Sequence, residues 1–167
     1  MDLEKWLHQF IDDYCSTSPH TPDIQLVKHG DEFIINIDSS QLQQVLTNLV
    51  DNGLRYSKQF SGKATLTLVL DRDHHNQLPT LDIIDDGEGI IESARETIFE
   101  PFFTTETSGT GLGLFIAKEM CEANQARLNY LINDEGKSCF RISFPHPERR
   151  IVADNRLPDT EQNQAND

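Results

Sequence analysis

The chain has 167 residues, enough for one domain with a buried core, and its 37% hydrophobic and 25% charged residues are ordinary for a soluble globular protein. Its 28 acidic residues outnumber its 14 basic residues, which gives a formal net charge of −14. Because such a surface repels phosphate backbones and anionic lipids, the composition argues against nucleic acid and membrane surfaces as partners.

The N-terminal part of the chain predicts a helix followed by a break. Apolar side chains recur at steps of three and four residues over 1–15, which is typical of an amphipathic helix. Serine, threonine and two prolines in 16–22 then interrupt this pattern. Two short stretches, 24–28 and 32–37, predict a β-hairpin whose turn is His29-Gly30-Asp31.

A long helix is expected next, from about Ser39 to Tyr56, with Asp38, Ser39 or Ser40 as its N-cap. The elements after it are predicted to be strands over 64–71 and 80–84, a helical turn over 93–97, a helix over 111–123, and a hairpin of strands 128–133 and 138–144. The polar composition of 146–167 predicts a disordered tail. Because strands outnumber helices and pair mainly through hairpins, the predicted fold class is α+β, with one mixed sheet covered by helices.

The cysteines and the N-terminus bear on the compartment of the protein. Three widely spaced cysteines without a CxxC pair, Cys15, Cys121 and Cys139, predict reduced thiols rather than a disulfide framework or a zinc site. The first residues lack the basic and apolar segments of a signal peptide, and no apolar run approaches the ~20 residues that span a bilayer. A cytoplasmic domain without membrane contact is therefore expected, and the sequence leaves open whether a parent protein is anchored in the inner membrane.

The helix expected over 39–56 carries a polar stripe. On a helical wheel, five side chains fall within about 40° of Asn48, namely Gln41, Gln44, Asn48, Asn52 and Arg55. An amide oxygen is a hard, neutral ligand that suits Mg²⁺ already carrying phosphate, and a guanidinium one turn away suits the phosphates themselves. Taken alone, the same stripe is also compatible with an ordinary solvated helix face.

A second motif, Asp85-Asp86-Gly87-Glu88-Gly89, follows the strand predicted over 80–84. The carboxylate at the strand end can accept a hydrogen bond from an exocyclic amine, and the glycines allow a flat ring to approach the backbone. Alone, the run is also compatible with a simple Asp-Gly turn. Its spacing does not match a calcium loop, in which the ligands are distributed over about twelve residues.

A third motif is the run 109–114, Gly-Thr-Gly-Leu-Gly-Leu, which opens the helix expected over 111–123. Backbone amides at a glycine-rich helix start attract phosphate. The run is neither GxGxxG nor a P-loop, and the chain has no VAIK, HRD or DFG motif of protein kinases. Just before it, three phenylalanines in 99–103 are typical of a core, and the small polar residues 104–108 predict a mobile lid.

In this order and spacing, the motifs resemble the catalytic domain of sensor histidine kinases, within the ATPase superfamily that includes gyrase, the heat-shock-90 chaperones and MutL. Four matches carry the resemblance: 48–56 to the N box, 85–89 to the G1 box, 99–103 to the F box and 109–114 to the G2 box. Gly53 stands where alanine is usual, and Asp86 where asparagine is usual. The resemblance covers roughly 23–145, and the Glu-Pro-Phe-Phe-Thr-Thr run is similar to that of nitrogen-regulation and pilus-type sensors.

For the phosphate end of the site, the resemblance implies two catalytic asparagines. Asn52 would ligate Mg²⁺, Asn48 would assist at the metal or at the attacking geometry, and Arg55 would lie near the phosphates. Residues of the lid and the G2 box would complete the contacts with ATP: Thr105, Gly109, Thr110, Gly111, Leu112 and Gly113, with the amides of the last three cradling phosphate. Glu106 stands where many relatives have a lysine, which puts a contact from that lid position to the γ-phosphate in doubt.

For the adenine end, the resemblance implies a carboxylate and an open ring site. Asp85 would accept a hydrogen bond from the adenine amino group. Gly87 and Gly89 would leave room for the ring, and Tyr56 would lie against it.

The implied function is to present the γ-phosphate of Mg·ATP to a histidine on the dimerisation and phosphoacceptor domain of the same kinase, upstream of a response regulator receiver domain. The phosphoacceptor box is missing, and His8 lacks its acidic neighbour. The chain is therefore expected to be a fragment or a stand-alone module, with 1–22 as the end of a dimerisation helix and a linker before the ATP-binding domain 23–145. The alternatives are an anti-sigma-factor kinase and a gyrase- or MutL-type clamp, and an acid where this chain has Asn48 would be expected in both.

Overall fold

A computed structural model describes residues 1–18, 21–104 and 109–147. In chain order, its elements are helix α1 (Leu3–Thr17), strand β1 (Asp23–Lys28), helix α2 (Ser39–Ser61), strands β2 (Thr65–Arg72) and β3 (Pro79–Asp85), a 3-10 turn (Glu92–Ala94), helix α3 (Gly113–Ala123), and strands β4 (Arg127–Ile132) and β5 (Ser138–Ser143). Most of the predicted tail and lid, 148–167 and 105–108, lies outside the described residues.

Within the described residues, five strands form one mixed sheet in the order β1-β2-β3-β5-β4. β1 pairs with β2 in parallel, and the other neighbouring strands are antiparallel. β2 alternates buried and half-buried residues, as a strand with one covered face does, whereas the central strand β3 is buried at nearly every position. The predicted fold class, α+β with one mixed sheet covered by helices, is confirmed, and so is the β4–β5 hairpin.

Helix α2 lies across the sheet and positions the polar stripe. It begins at Asp38, whose Oδ1 accepts hydrogen bonds of 2.9 Å from the backbone N–H groups of Ser40 and Gln41. It runs past the predicted end at Tyr56, because 57–61 contain no glycine or proline, and Gly62 terminates it with a positive φ of 82°. Its buried side packs on the sheet through Leu42, Val45, Leu46, Leu49, Val50 and Leu54. Burial of each such side chain stabilises the folded state by roughly 1.5–3 kcal/mol relative to leaving it exposed.

The hairpin predicted over 24–37 is wrong. β1 pairs in parallel with β2, from Asp23 opposite Thr65 onward, and Ile34 instead makes an isolated antiparallel bridge with Asp2. The alternating apolar residues that suggested a second strand, Phe33 and Ile35, are fully buried in the core beside α1. Alternating apolar residues occur both in a strand of a sheet and in an extended segment that packs beside a helix. The pattern alone therefore did not distinguish these two structures.

Helix α1 packs into the same hydrophobic core as the sheet. Leu3, Leu7 and Phe10 are buried, and the backbone N–H of Leu3 donates to the carbonyl of Phe33 at 2.9 Å. Farther along, the Tyr14 hydroxyl donates a hydrogen bond to the carboxylate of Asp51 on α2. The helix therefore contacts the N-box helix directly. No helix in the described part of the chain is long and apolar enough to cross a membrane.

Candidate functional site

The centre of the candidate site is Asp85, the last residue of β3. Its residue surface is only 4% exposed. Oδ1 accepts the backbone N–H of Gly87 at 2.8 Å, and Oδ2 accepts the hydroxyl of Ser138 on β5, also at 2.8 Å. Burial raises the pKa of this carboxyl group, while these two hydrogen bonds act in the opposite direction. Each oxygen keeps further acceptor capacity, so a fixed carboxylate is available to a donor from a ligand.

Gly87 lets the turn after β3 lie close to this carboxylate and to α2. A Cβ atom built on Gly87 would lie 2.6 Å from Oδ1 of Asp85 and 3.0 Å from Cβ of Tyr56. Any side chain here would thus collide with the carboxylate or with α2. The structure brings Asp85, Gly87 and Tyr56 together, and Tyr56 is partly exposed. Gly89 lies farther along the same turn, where a Cβ would be 3.2 Å from the hydroxyl oxygen of Tyr130.

Asn48 joins the N-box helix to the glycine-rich start of α3. Its Nδ2 donates to the carbonyl of Gly113 at 3.1 Å, and its Oδ1 accepts from Nε2 of Gln44 at 3.0 Å. The N box and the G2 box, which are far apart in the sequence, therefore meet at this side chain. Gln41 lies on the same stripe but contacts the other end of α3, where its Oε1 accepts a hydrogen bond from Nδ2 of Asn124 at 2.7 Å.

One turn farther along α2, Asn52 is held by Arg55. Nη2 of Arg55 donates to Oδ1 of Asn52 at 2.7 Å, and the guanidinium lies 5.2 Å from the centre of the Tyr56 ring. Both polar side chains reach solvent, since Asn52 is half-buried and Arg55 is exposed. The amide oxygen of Asn52 is therefore the kind of ligand that Mg²⁺ binds, and in this structure it accepts a hydrogen bond from Arg55.

The start of α3 presents backbone amides. α3 begins at Gly113, later than the predicted Gly111. Gly111 has a positive φ of 68°, which lies outside the right-handed helical region, so the helix cannot include it. A Cβ on Gly111 would lie 2.5 Å from the carbonyl carbon of Phe102, whose N–H donates to the Gly111 carbonyl at 2.9 Å. No side chain in the described residues caps the first turn at the N-cap residue, Leu112. Such an open first turn can accept an anion.

The structure describes only some of the other residues predicted to contact nucleotide from the G2 box and the lid. Thr110 borders the helix start, where its Oγ1 accepts the N–H of Leu112 at 3.4 Å, and Gly109 precedes it. Thr105 and Glu106 lie outside the described residues, so their predicted roles remain predictions. The F-box phenylalanines divide: Phe99 and Phe103 pack against the core, whereas Phe102 is 75% exposed.

Sequence reasoning missed the residues that hold the two acidic side chains in place. Ser138 bonds Asp85, and Lys137 donates to Oδ1 of Asp86 at 2.7 Å. Thr65 donates to the other oxygen of Asp86, also at 2.7 Å. None of these residues belongs to a recognisable motif, because they reach the site through strand register, in which Ser138 lies opposite Asp85. Only the pairing of β3 with β2 and β5 identifies them.

A separate surface cavity lies away from these residues. It has a volume of about 630 Å³ and lies between the F-box segment, the outer side of α3 and the start of β4. Its lining includes Arg95, Phe99, Lys118 and Arg127 but none of the predicted nucleotide contacts. The candidate site is therefore assigned to the convergence of β3, α2 and the start of α3 rather than to this cavity.

Comparison with known proteins identifies the family of this chain. A family model described as histidine kinase-, DNA gyrase B-, and HSP90-like ATPase matches residues 37–148. Sensor protein kinase PilS of Pseudomonas aeruginosa is 46% identical over 149 residues, which cover 89% of this chain and 28% of that protein. Sporulation kinase A of Bacillus subtilis is 36% identical over 115 residues, which cover 69% of this chain and 18% of that protein. The chain therefore spans less than a third of either relative.

Solved structures share the fold. The nucleotide-free catalytic domain of histidine kinase ThkA matches with a TM-score of 0.68 and 22% identity, over 87% of this chain and 93% of that one. The ATP-binding domain of PrrB from Mycobacterium tuberculosis matches with a TM-score of 0.67 and 20% identity, over 88% of this chain and 96% of that one. The family resemblance inferred from the four motifs is confirmed.

Proposed function

The chain belongs to the family of histidine kinase-, DNA gyrase B- and HSP90-like ATPases, and we propose that it is the ATP-binding catalytic domain of a sensor histidine kinase. In this role it binds Mg·ATP and presents the γ-phosphate to a histidine on a dimerisation and phosphoacceptor domain. The phosphoryl group then passes to the receiver domain of a response regulator. The kinases among its relatives, PilS and sporulation kinase A, support this assignment.

One observation carries the proposal. A hydrogen bond from Asn48 to the carbonyl of Gly113 joins the amide-bearing helix α2 to the start of α3, which no side chain among the described residues caps. The buried carboxylate of Asp85 lies at the end of the adjacent strand β3. An adenine ring, a phosphate chain and a metal ion need these three kinds of group side by side. The anti-sigma-factor alternative is not favoured, because position 48 carries an amide rather than an acid.

At the adenine end, Asp85 would accept a hydrogen bond from the exocyclic amine. Its two existing hydrogen bonds, from Gly87 and Ser138, hold the carboxylate in one orientation before the ligand arrives. The absence of a side chain at Gly87 lets the turn lie directly against Asp85 and Tyr56, the two residues that would border the ring. Because the carboxylate does not have to reorganise, adenine recognition costs little conformational entropy.

At the phosphate end, Asn52 and Asn48 would hold Mg²⁺ through their amide oxygens, and the first amides of α3 would bind phosphate. Mg²⁺, when bound, neutralises phosphate charge and polarises the group to be transferred. For Asn52 to bind Mg²⁺, the hydrogen bond from Arg55 to its Oδ1 must break, and Arg55 would lie near the phosphates. The contribution of the chain to the reaction is positioning and charge compensation rather than covalent chemistry.

The test supplies the missing acceptor. The domain is incubated with γ-labelled ATP, alone and with an isolated dimerisation and phosphoacceptor domain. Acid-labile label is expected on the partner only, at a low rate that rises with partner concentration, because no tether raises the local concentration. Acid-labile label on this chain alone would contradict the proposal, and His8, an exposed residue of α1, would then be the first candidate acceptor. The variant Asn52→Ala serves as the inactive control.

A further inference from the structure

We propose that Lys137, on the turn between β4 and β5, is a positioning residue of the nucleotide site, because it neutralises Asp86 and thereby keeps its neighbour Asp85 ionised for adenine. The proposal rests on the proposed role of Asp85 in binding the adenine amino group. Lys137 lies outside the four motifs. Its partner Asp86 is the second acid that this chain has where the G1 box usually has asparagine.

Asp86 is held by contacts from three different elements. Nζ of Lys137 lies 2.7 Å from Oδ1, and Oγ1 of Thr65 on β2 donates to Oδ2 at 2.7 Å. The backbone N–H of Asp86 donates to Oγ of Ser57 on α2 at 2.8 Å. Both carboxylate oxygens are thus occupied by protein donors. The side chain is directed toward Lys137 and Thr65.

The neighbouring carboxylates affect each other electrostatically. Burial is the main cause that raises the pKa of Asp85, and the negative charge of Asp86 raises it further. The ion pair with Lys137 lowers the pKa of Asp86, so this residue stays charged. In the native arrangement that charge has a cation beside it. Without Lys137, the uncompensated Asp86 would act more strongly on Asp85, and Asp85 would take up a proton at a higher pH.

Protonation matters because the adenine amino group is a donor only. A protonated Asp85 loses part of its acceptor capacity, so binding should weaken as the pH falls through its pKa. The other titratable groups near the pair, from every element packed against it, are Tyr56 and Arg55 of α2, Glu88 of the same turn, Glu135 of the β4–β5 turn and Cys139 of β5. Burial raises the pKa of Cys139 to about 12, so its thiol stays neutral throughout the range of interest.

The experiment measures ATP affinity by calorimetry from about pH 5 to about pH 8 in the wild type and in Lys137→Met. We expect the variant to bind roughly 3- to 10-fold more weakly at the acid end and within about 2-fold of wild type at the alkaline end, since one pKa unit corresponds to tenfold. The titration of ATP itself is common to both proteins and cancels in their ratio. Lys63→Met, which removes an exposed lysine near β2, is the matched control and should leave the profile unchanged.

A rescue variant separates charge compensation from packing. Asp86→Asn restores the usual G1-box residue and removes the charge, so adding Lys137→Met to it should have no pH-dependent effect. A loss of affinity that is the same at every pH, or that persists in the Asp86→Asn background, would overturn the proposal. The proposed function is tested separately by Asp85→Asn. If that variant binds ATP normally, the role of Asp85 is wrong. If it loses ATP while Lys137→Met keeps the wild-type profile, only the inference about Lys137 is wrong.

Discussion

The adenine end and the phosphate end of the site are built in different ways. At the adenine end, Asp85 is buried on the central strand and is held by a backbone amide and by a buried hydroxyl group of the next strand. At the phosphate end, Asn48 and Asn52 are partly exposed, and their amide oxygens accept hydrogen bonds from other side chains of the same helix, those of Gln44 and Arg55.

The difference indicates where the site is rigid and where it can adapt. A carboxylate fixed by the sheet can select a ligand by the position of one donor, because an incorrect group finds no compensating movement. Amides whose partners are solvent-exposed side chains can exchange those partners for a metal ion and phosphate. Base selectivity is therefore expected to depend on the sheet, and metal and phosphate binding on side chains that rearrange.

The largest expected effect tests the phosphate end. Asn52→Ala removes a proposed metal ligand and should weaken Mg·ATP binding by roughly 10- to 100-fold, taking the range for residues that support metal ligands as a floor. Calorimetry with and without Mg²⁺ checks this, and the loss should be confined to the metal-dependent part. Asn129→Ala, at an exposed position of β4, is the control. Unchanged Mg·ATP affinity in Asn52→Ala would remove the metal assignment.

The next effect tests the adenine end. GTP offers a carbonyl acceptor where ATP offers an amine, so Asp85 would face it without a proton between them. An unpaired buried acceptor costs about 1–3 kcal/mol, and more when charged, which predicts at least ~10-fold selectivity for ATP. Competition of GTP against a labelled ATP analogue measures it. Equal displacement by both nucleotides is the outcome that contradicts this role, and Asp85→Asn should narrow the difference.

A stability measurement sharpens the contrast between the two ends. Burial raises the pKa of Asp85, so ionisation of this group destabilises the folded domain above that raised pKa, and the effect vanishes below the ordinary carboxyl pKa. Asp85→Asn should therefore raise the Tm of the nucleotide-free domain by about 2–4 °C at neutral pH, with no gain in acid. Asn52→Ala should leave the Tm unchanged. An equal or lower Tm for Asp85→Asn at neutral pH would mean that the buried charge is fully compensated.

The smallest effects compare one supporting hydrogen bond at each end. Ser138→Ala removes a donor to Asp85 and should weaken ATP binding by roughly 3-fold, and more at low pH, because the lost hydrogen bond had lowered the pKa of that carboxyl group. Gln44→Ala removes a donor to Asn48 and should change affinity by less than about 2-fold, since that oxygen can find other partners. Titrations at two pH values measure both variants. Equal losses would contradict the rigid–adaptable distinction.

Much of the fold followed from local patterns. The bounds of β2, β3, β4 and β5 agree with the predicted strands to within a residue or two, because period-two alternation and turn residues mark them in the sequence. The course of α2 also followed from its apolar stripe and its Asp38 cap. The strand predicted over 24–28 is present as β1, but the hairpin over 24–37 is wrong, because β1 pairs with β2 and the alternating residues after it pack in the core beside α1.

The sequence by itself determined the four motifs and the α+β class, since these depend on short-range spacing. The residues proposed to contact nucleotide followed from the family resemblance that those motifs carry. Tertiary structure alone decided that Ser138 holds Asp85, that Lys137 and Thr65 hold Asp86, and that Asn48 reaches Gly113. These contacts join residues far apart in the chain, and strand register and helix packing select them. The physical reason is that local periodicity determines which face a side chain occupies but not which distant residue lies opposite it.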